Sequence, residues 1–534
     1  MKKATWILIA AATLALGIVT GNFYAGLETG NRMKSPFGRT EENKITEVVQ
    51  IIDKLYVDSI SIDSIAEAVI PTILSQLDPH SAYIPAADLQ VTNDELSGSF
   101  GGIGVQFNIQ NDTVYVVDVI SGGPSELAGL LAGDRIVSVD GLTFVGKTLN
   151  NERVMKTLRG ERGTKITVGI VRRNTPKILS FTVTRGDIPV KSIDVACMIA
   201  PNIGFISVNK FGITTYQEFL NGIAKVRSEG ASKLIIDLRG NAGGYLDAAI
   251  NMLNEFLQEG DLMVYIKGNH YARTDSYANG TGSCQTIPLV VLIDEFSGSA
   301  SEIFAGAIQD NDRGQIVGRR SFGKGLVQHQ VTLKDSSAVR ITVARYYTPS
   351  GRCIQKPYER GRLSEYDADL WQRYLHGEFY SQDSIRQNDT TVYKTVGGRT
   401  VYGGGGIMPD IFVPRDSSGI THYFSELVNA GIIYQFALRY TEQNRARLKA
   451  CNSWQALESY LESQQLFDLV AAEGAKKNVI GTMEQKRKSR TFIERQLYAY
   501  IIRNIFNDEG FFPFLNQNDV TVQRAVELLG GTKQ

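Results

Sequence analysis

The sequence predicts a multidomain α/β protein in which two strand-containing regions lie between helical flanks. From Gly98 to about Val190, short runs typical of strands alternate with glycine turns. From Ile203 to Gln330, apolar strands are followed by glycine loops and helices, which is the pattern of a covered, largely parallel sheet. Helical periodicity marks residues 40–90 and returns from about Ser425.

The composition bounds the class of protein. The chain has 534 residues, enough for about three or four folding units, and its 43% hydrophobic and 21% charged residues exclude wholesale disorder, collagen and a polytopic membrane protein. Its 56 basic and 56 acidic residues give a net charge of zero, which argues against a nucleic-acid binder because phosphates require a basic surplus. The four cysteines and five histidines are scattered without metal-ligand spacing. We therefore expect no metal, no cofactor and free thiols, with disulfide pairing left open by the sequence.

The amino-terminal segment predicts a membrane anchor in residues 1–30. Lys2 and Lys3 precede a stretch, residues 4–27, that contains no charge. A spanning helix needs about 20 residues, whereas the apolar centre of a signal peptide has about 7–15. Because the two lysines favour the cytoplasm, everything after Asn31 is expected to be exported to the periplasm and tethered to the inner membrane. If the segment is cleaved as a signal peptide, the protein is secreted instead.

The first strand-containing region follows the helical flank, whose pattern is broken by Pro79. Its predicted strands lie at Gln106–Asn108, Val114–Val119, Asp134–Val139, Lys165–Arg172 and Leu179–Thr184. Two short helices are expected, at Ser125–Leu131 and Glu152–Leu158. Together these elements form a small, barrel-like α/β module.

The second strand-containing region is the larger one. Its predicted strands lie at Lys233–Leu238, Ile287–Ile293 and Gln315–Val317, and helices ending at Leu257 and Ile308 follow the first two. The polar stretch Glu365–Thr400 predicts an insertion or a flexible flap. The resulting domain boundaries are 1–30, 40–90, 92–187, 188–422 and 423–534, the last of these being helical.

A serine-rich turn, Ser297–Glu302, stands between a buried strand and a helix. A serine at such a turn can project its hydroxyl while the helix amino terminus offers N–H groups and positive potential. Helix capping is the competing interpretation, because serine is a favoured N-cap and a glutamate suits the first turn. Taken alone, the motif favours capping.

Two glycine loops are also candidate functional segments. Gly318–Gly325 matches the start of a phosphate-binding loop, but a glycine stands where that motif needs a Ser or Thr for magnesium. Glycines on both sides of Lys324 instead give its side chain close approach, although a surface lysine in a turn is the competing interpretation. The loop Asp237–Gly244 can present N–H groups to an anion, or simply turn the chain into the next helix.

Taken together, these segments resemble the carboxy-terminal processing peptidases, also called tail-specific proteases. The resemblance rests on five motifs in order across residues 40–420: L-D-P-H-S-A-Y (77–83), D-L-R-G-N-A-G-G (237–244), S-G-S-A-S-E-I (297–303), S-F-G-K-G-L-V-Q (321–328) and G-G-G-I-M-P-D (404–410). Ala242 departs from the family, in which proline is more usual. The helical region after residue 425 matches less clearly.

The resemblance implies a Ser-Lys peptidase core. Ser299 would be the nucleophile, Lys324 the general base, and Gln328 would orient Lys324. Backbone N–H groups of Gly243 and Ala300 are the candidates for the oxyanion site. Asp310 matches another position that the family uses, which we expect to be structural. A free lysine has a pKa of about 10.4, so burial of Lys324 is required to supply a neutral amine.

The module at residues 98–190 resembles a PDZ domain. Gly102, Ile103, Gly104 and Val105 match its carboxylate-binding loop, and an ordinary hairpin turn is the competing interpretation. PDZ domains add an extended peptide to a sheet edge and bind its last side chains in a pocket. The expected partners are protein substrates with free, apolar carboxy termini.

Three functions follow from these observations, in order of support. The first is a serine endopeptidase that cleaves exported proteins selected by their tails. The second is a membrane-tethered PDZ adaptor on an inactive protease fold, against which the intact Ser299, Lys324 and Gln328 count. The third is a nucleotide-binding enzyme, which Gly325 disfavours. The oligomeric state stays open, a homo-oligomer included.

Overall fold

A computed structural model of the protein describes residues 43–110, 112–120, 122–172, 175–386 and 391–530. The predicted anchor in residues 1–30 lies outside the described residues. In the part that is described, no helix is both long enough and apolar enough to cross a membrane. The described residues divide into two units, one ending at Ile70 and the other beginning at Pro71.

The first unit contains helix α1 (Lys44–Leu55) and the beginning of α2 (Ile62–Ser75). Asn43 caps α1, because its side chain accepts a hydrogen bond from the N–H of Thr46 at 3.0 Å. No residue of α1 is buried. These two helices confirm the helical periodicity predicted within residues 40–90.

The strands of the predicted barrel-like module are β2 (Ser99–Gly102), β3 (Val105–Gln110), β4 (Thr113–Val119), β5 (Arg135–Val139), β6 (Leu142–Thr143), β7 (Lys165–Val171), β8 (Leu179–Thr184) and β9 (Gly186–Pro189). Six of them form an antiparallel sheet in the order β3-β4-β5-β7-β8, with β6 paired to β5. A separate pair, β2 and β9, joins the two ends of the module. Helices α4 (Pro124–Ala128) and α5 (Asn151–Leu158) cover the sheet. Helix α4 is shorter than predicted, because Gly129 ends it with a left-handed φ of 93°.

The larger region is built on a six-stranded sheet. Its strands are β10 (Ile193–Ala200), β11 (Ile203–Val208), β12 (Lys233–Asp237), β15 (Leu289–Ile293), β16 (Gln315–Gly318) and β21 (Ile411–Phe412), which lie side by side in this order. All neighbouring strands are parallel except β10 and β11, so the predicted largely parallel sheet is confirmed. The helices are α6 (Thr215–Ser228), α7 (Leu246–Asn254) and α8 (Ala300–Asp310).

A second sheet, which the sequence did not predict, packs beside the first. Strand β18 (Ala338–Tyr347) is its centre and pairs with β17 (Leu326–Thr332), β13 (Leu262–Lys267) and β1 (Ala82–Ile84). Strand β14 (Thr274–Tyr277) forms the edge beyond β13. Helix α3 (Ala86–Ser97) leads from β1 to the barrel-like module.

The polar stretch Glu365–Thr400, predicted to be an insertion or a flexible flap, forms regular secondary structure in its described residues. It contains helix α9 (Leu363–Leu375), a 3₁₀ turn (Gln382–Ser384) and the hairpin of β19 (Val392–Lys394) and β20 (Thr400–Tyr402). Its polar side chains are partly buried and paired with one another. The carboxylate of Glu378 accepts from Arg320 at 2.6 Å and from Arg373 at 2.8 Å. Paired charges of this kind let a polar segment pack against the core.

The carboxy-terminal region is helical, as predicted. It comprises α10 (His422–Asn429), α11 (Ile432–Lys449), α12 (Trp454–Glu462), α13 (Leu466–Lys476), α14 (Met483–Gln517), which is kinked at Asn507, and α15 (Val520–Leu528). Helices α10 to α14 bury an apolar core of their own. Val522 and Ala525 of α15 instead belong to the cluster beneath the parallel sheet. All four cysteines are free thiols.

Candidate active site

Ser299 lies at the turn between central strand β15 and helix α8. Its φ of 53° and ψ of −113° are unusual for a residue with a side chain, and such backbone strain costs about 1–3 kcal/mol. Ser299 is half-buried, and the first N–H groups of α8 have no partner within the helix. The turn therefore places a hydroxyl at the positive end of a buried helix.

Lys324 lies in the loop between β16 and β17, and glycines flank it because the loop is tightly packed. A Cβ atom on Gly323 would lie 3.0 Å from the Cβ of Lys356, and Gly323 has a φ of 91°. A Cβ on Gly325 would lie 2.8 Å from the backbone nitrogen of Gln355. Both positions consequently require glycine, for packing as well as for backbone freedom.

One buried carboxylate joins the serine turn to the lysine loop. Oε2 of Glu302 accepts from the backbone N–H groups of Ser299 and Lys324, both at 2.8 Å, so these two nitrogens lie no farther apart than twice that distance. Oε1 accepts from the Ser321 hydroxyl at 2.5 Å and the Gly323 N–H at 2.7 Å. The sequence presented Glu302 only as a helix-capping residue. In the structure it fixes the relative position of both candidate catalytic residues.

Tyr346 provides a second connection between the same two residues. Its hydroxyl contacts the carbonyl oxygen of Ser299 at 3.1 Å and also that of Lys324. The side chain is fully buried, and burial raises the pKa of Tyr346 well above its ordinary value. The phenol thus remains a neutral hydrogen-bond donor throughout the physiological range.

The surroundings of Lys324 favour a neutral amine. Burial is the largest cause that lowers the pKa of Lys324, and the positive charge of Arg340 lowers it further. The negative charges of Glu302 and Asp78 oppose this shift. Burial raises the pKa of Glu302, and the four hydrogen bonds that its carboxylate accepts oppose this increase. The net direction for Lys324 is the one that a general base requires.

Gln328 lies on β17 and lines the same cleft as Ser299. Its Nε2 atom is buried and has no hydrogen-bond partner in the described part of the chain. Among these residues, no hydrogen bond joins the Ser299 hydroxyl to the Lys324 amine, or Gln328 to Lys324. Catalytic hydrogen bonds commonly tighten only when substrate is bound.

The cleft beside Ser299 has a volume of about 290 Å³. Leu246, Ile303, Leu326 and Tyr346 form its apolar wall, and Asp247 lies among the residues that line it. The cleft is therefore large enough for one apolar side chain beside Ser299.

The candidate oxyanion groups lie against the serine turn. A Cβ on Gly243 would approach Ser299 Cβ to 2.7 Å and the Ala300 nitrogen to 2.9 Å. The N–H of Gly243 itself donates to Asn241 Oδ1 at 2.8 Å. Asn241 also accepts from the N–H of Gly298 through its carbonyl oxygen, at 3.0 Å, which fastens the glycine loop to the serine turn. Ala300 is therefore the less encumbered of the two donors.

Two further motifs meet at this place. The Ser321 hydroxyl accepts from the N–H of Ile407 at 2.6 Å, which attaches the G-G-G-I-M-P-D segment to the lysine loop. The Asp78 carboxylate accepts from the Thr342 hydroxyl at 2.9 Å, and Thr342 is the register partner of Gln328. Sequence reasoning could not connect these segments, because their contacts are formed only by the folded chain.

Asp310 lies at the far end of α8 from Ser299. Its carboxylate pairs with the fully buried Arg352 at 2.7 Å and accepts from the N–H of Ser350 at 3.1 Å. These contacts attach the loop after β18 to the carboxy-terminal end of α8. In the described residues, no group of three or more histidine, cysteine or acidic side chains could hold a metal ion.

The predicted carboxylate-binding loop borders a second groove, of about 270 Å³, between β3 and α5. Gly102, Ile103, Gly104 and Val105 line it together with apolar side chains that include Met155 and Leu158. Arg159 lies at the same groove, over the ring of Phe100. Its Nη1 atom is buried without a hydrogen-bond partner in the described part of the chain.

Comparison with known proteins identifies the family. Residues 202–360 match peptidase family S41, residues 101–183 match the PDZ domain, and residues 423–507 match a family of unknown function, DUF8443. The chain therefore belongs to peptidase family S41, as a serine protease of the carboxy-terminal-processing type with a PDZ domain. The adaptor alternative is not favoured.

Two relatives found by sequence support this membership. One from Staphylococcus aureus, named "Probable CtpA-like serine protease", is 31% identical over 352 residues, which cover 65% of this chain and 69% of that protein. A carboxy-terminal-processing protease of Bartonella bacilliformis is 36% identical, covering 60% of this chain and 72% of its own. Among solved structures, the photosystem II D1 C-terminal processing protease is 25% identical with a TM-score of 0.36, covering 69% of this chain and 92% of that one.

Proposed function

We propose that the protein is a serine endopeptidase that uses a Ser299–Lys324 dyad. The observation that carries this proposal is the shared hydrogen bonding of the two residues: Glu302 Oε2 accepts from both backbone nitrogens at 2.8 Å. A capping serine and a surface lysine would not need to be held together in this way. The lowered pKa of Lys324 supports the same assignment.

The reaction follows from these positions. The neutral amine of Lys324 takes the proton of the Ser299 hydroxyl as its oxygen attacks the peptide carbonyl carbon. The negative charge that develops on the carbonyl oxygen is stabilised by the N–H of Ala300, with Gly243 contributing once its N–H turns from Asn241. Lys324 then returns the proton to the leaving amine. Water hydrolyses the ester through the same proton transfers.

We assign the orienting role to Gln328. Its Nε2 is buried and unpartnered beside the cleft, which is a costly arrangement that a bound substrate or a rotated Lys324 would relieve. A carboxamide can accept from the lysine amine through Oε1 while Nε2 donates elsewhere. Substrate binding would complete this contact.

Substrate selection is assigned to the groove of the PDZ domain. A peptide added to the edge of β3 would bring its terminal carboxylate to the loop of Gly102–Val105. The unpartnered guanidinium nitrogen of Arg159 supplies a positive charge at the same groove. The apolar lining from Met155 and Leu158 favours an apolar last residue.

The site of action is proposed from the amino-terminal segment alone. Its two lysines and uncharged stretch are consistent with export and attachment to the inner membrane, with the peptidase core in the periplasm. Fractionation of cells, with protease added to the outside of the inner membrane, tests this placement. Protection of the chain from that protease would contradict it.

The experiment that tests the function compares peptides with free and amidated carboxy termini. The wild-type protein should cleave the free-ended peptide faster, and Ser299→Ala and Lys324→Ala should each abolish cleavage of both. The two substitutions together should cost little more than either alone, because the residues act as one unit. Turnover retained by Ser299→Ala would contradict the dyad. Equal cleavage of both peptides by the wild type would contradict selection by the tail.

A further inference from the structure

We propose that Tyr366, on helix α9 of the insertion, is a positioning residue for Lys324. This inference rests on the proposed function, since it concerns the base of the same dyad. The tyrosine lies in a chain of side-chain hydrogen bonds that begins at the lysine loop and ends at the L-D-P-H-S-A-Y segment. Neither the sequence patterns nor the family matches assign a role to this residue.

The first connection runs from Tyr366 to the residue after Lys324. The amide of Gln355 donates to the Tyr366 hydroxyl at 3.4 Å and to the carbonyl of Lys356 at 2.9 Å. Its oxygen accepts from the N–H of Gly325 at 2.8 Å. The three contacts determine which end of the Gln355 amide is the oxygen. The lysine loop is therefore held by a side chain that Tyr366 in turn contacts.

The second connection runs from Tyr366 to His80. The phenol oxygen lies 2.9 Å from His80 Nε2, and the two rings meet edge to face at 5.2 Å. A tyrosine hydroxyl can accept from Gln355 and still donate its own proton, and the His80 tautomer with its proton on Nδ1 leaves Nε2 able to accept that proton. Burial is the largest cause that lowers the pKa of His80, to about 4, which favours the neutral imidazole.

A third contact reaches the same loop from α9. The amine of Lys356 is held by Asp369 at 3.0 Å and lies over the rings of Phe322 and Tyr366, 4.2 and 4.0 Å from their centroids. Phe322 precedes Lys324 by two residues, and the N–H of Lys356 donates to the carbonyl of Gly323 at 2.9 Å. Gln355 and Lys356, which Tyr366 and Asp369 of α9 contact, therefore hold the lysine loop on both sides of the base.

The consequence concerns the burial of Lys324. The titratable and charged groups near it come from several elements: Glu302 of α8, Arg340 and Tyr346 of β18, and Asp78 and His80 of the loop before β1. Lys356, in the loop before α9, acts on His80. Burial is the largest cause of its lowered pKa, so a loosened loop admits water and raises that pKa.

The test substitutes Tyr366→Phe, which keeps the ring and removes the hydroxyl. Tyr374→Phe is the matched control. Tyr374 lies on the same helix and stacks on Trp371 at 5.3 Å, and its hydroxyl is hydrogen-bonded to Tyr380, away from the lysine loop. We expect Tyr366→Phe to lower kcat about tenfold at neutral pH with KM nearly unchanged. The midpoint of its pH–rate profile should move to higher pH, whereas Tyr374→Phe should behave as wild type.

A second readout does not depend on activity. The Ser299→Ala variant is treated with acetic anhydride at a series of pH values, and the acetylation of Lys324 is measured by mass spectrometry. The extent of acetylation reports the titration of Lys324, with the exposed Lys334 as the reference lysine. Tyr366→Phe should move the Lys324 titration to higher pH. If Tyr366→Phe fails to fold, His80→Ala removes the other end of the chain and should change both readouts in the same direction.

The outcomes separate the two claims. A wild type that cleaves no peptide, with a Lys324 titration that still responds to Tyr366→Phe, would overturn the proposed function and keep the positioning role. An active wild type with Tyr366→Phe and Tyr374→Phe indistinguishable in kcat, pH profile and Lys324 acetylation would overturn the positioning role alone.

Discussion

Replacing Glu302 by glutamine should reduce turnover and stability together. The carboxylate accepts four hydrogen bonds, from the N–H groups of Ser299, Gly323 and Lys324 and from the hydroxyl of Ser321. Glutamine is the same size but presents one N–H₂ group in place of an oxygen. Whichever way the amide turns, that group meets at least one backbone N–H that can no longer be satisfied.

The magnitude follows from the contacts that change. The less costly orientation turns the amide nitrogen toward Ser321, whose oxygen can accept, and leaves the N–H of Gly323 unpaired. An unpaired buried donor costs about 1–3 kcal/mol, and the remaining bonds lose their charge assistance. We expect a loss of about 3 kcal/mol in the free energy of unfolding. A shift of the Ser299 or Lys324 backbone by about 1 Å is enough to lower kcat about 100-fold.

Urea unfolding and peptide kinetics measure the two effects separately. Glu255→Gln is the matched control, because Glu255 is also buried and accepts from Tyr216 at 2.8 Å and from the N–H and hydroxyl of Ser283 at 2.9 and 3.0 Å. Its partners belong to a different part of the core. It should lower the unfolding midpoint and leave the kcat of the folded protein unchanged. Folded Glu302→Gln protein with wild-type kcat would refute the assignment of Glu302 as the connection between nucleophile and base.

Three further predictions follow from the same geometry. Gly243→Ala should abolish peptide cleavage in protein that still folds, because the new Cβ would lie 2.9 Å from the Ala300 nitrogen. A variant with the kcat of the wild type would contradict an oxyanion site formed by Gly243 and Ala300. The kcat/KM of the wild type should rise with pH to a midpoint below the ordinary lysine pKa of about 10.4, since burial lowers the pKa of Lys324; a rate that is flat from pH 5 to 9 would indicate another base. The pKa of His80 is lowered from 6.5 to about 4 in the folded protein. Between pH 6.5 and 4 the imidazole is therefore protonated in the unfolded chain but not in the folded one. The free energy of unfolding should fall by up to about 3 kcal/mol as the pH drops through this range. Denaturation of His80→Ala should show a flatter dependence over that range, and an unchanged slope would contradict the burial of His80.

Local patterns predicted the parallel sheet and most of its helices, because those elements are encoded by contiguous runs. The apolar strand Leu289–Ile293 and the helix after Ser299 are examples, and both are set by residues within a short window. The two glycines that flank Lys324 in the sequence already predict a close approach of the chain at Gly323 and Gly325. The interpretation of Glu302 as a cap was incomplete, since a capping pattern does not reveal a carboxylate that is fully buried.

The remaining features depend on contacts between distant parts of the chain. Asp78 and Thr342 are separated by 264 residues, and no periodicity in either segment indicates that they meet. The polar composition of residues 365–400 predicts an insertion or a flexible flap, but it does not indicate a partner for any charge. The structure pairs Glu378 with Arg320, and these two charges become buried only when the chain has folded.

Covalent labelling measures whether Lys324 activates the Ser299 hydroxyl. A fluorophosphonate reagent, which reacts with activated serine hydroxyls, is added to the wild type, Ser299→Ala and Lys324→Ala, and the adduct is located by peptide mass spectrometry. The account predicts a single adduct on Ser299 in the wild type, formed faster as pH rises, and a strongly reduced rate in Lys324→Ala. An adduct on another serine that accounts for peptide hydrolysis, or labelling of Ser299 at the same rate without Lys324, would contradict it.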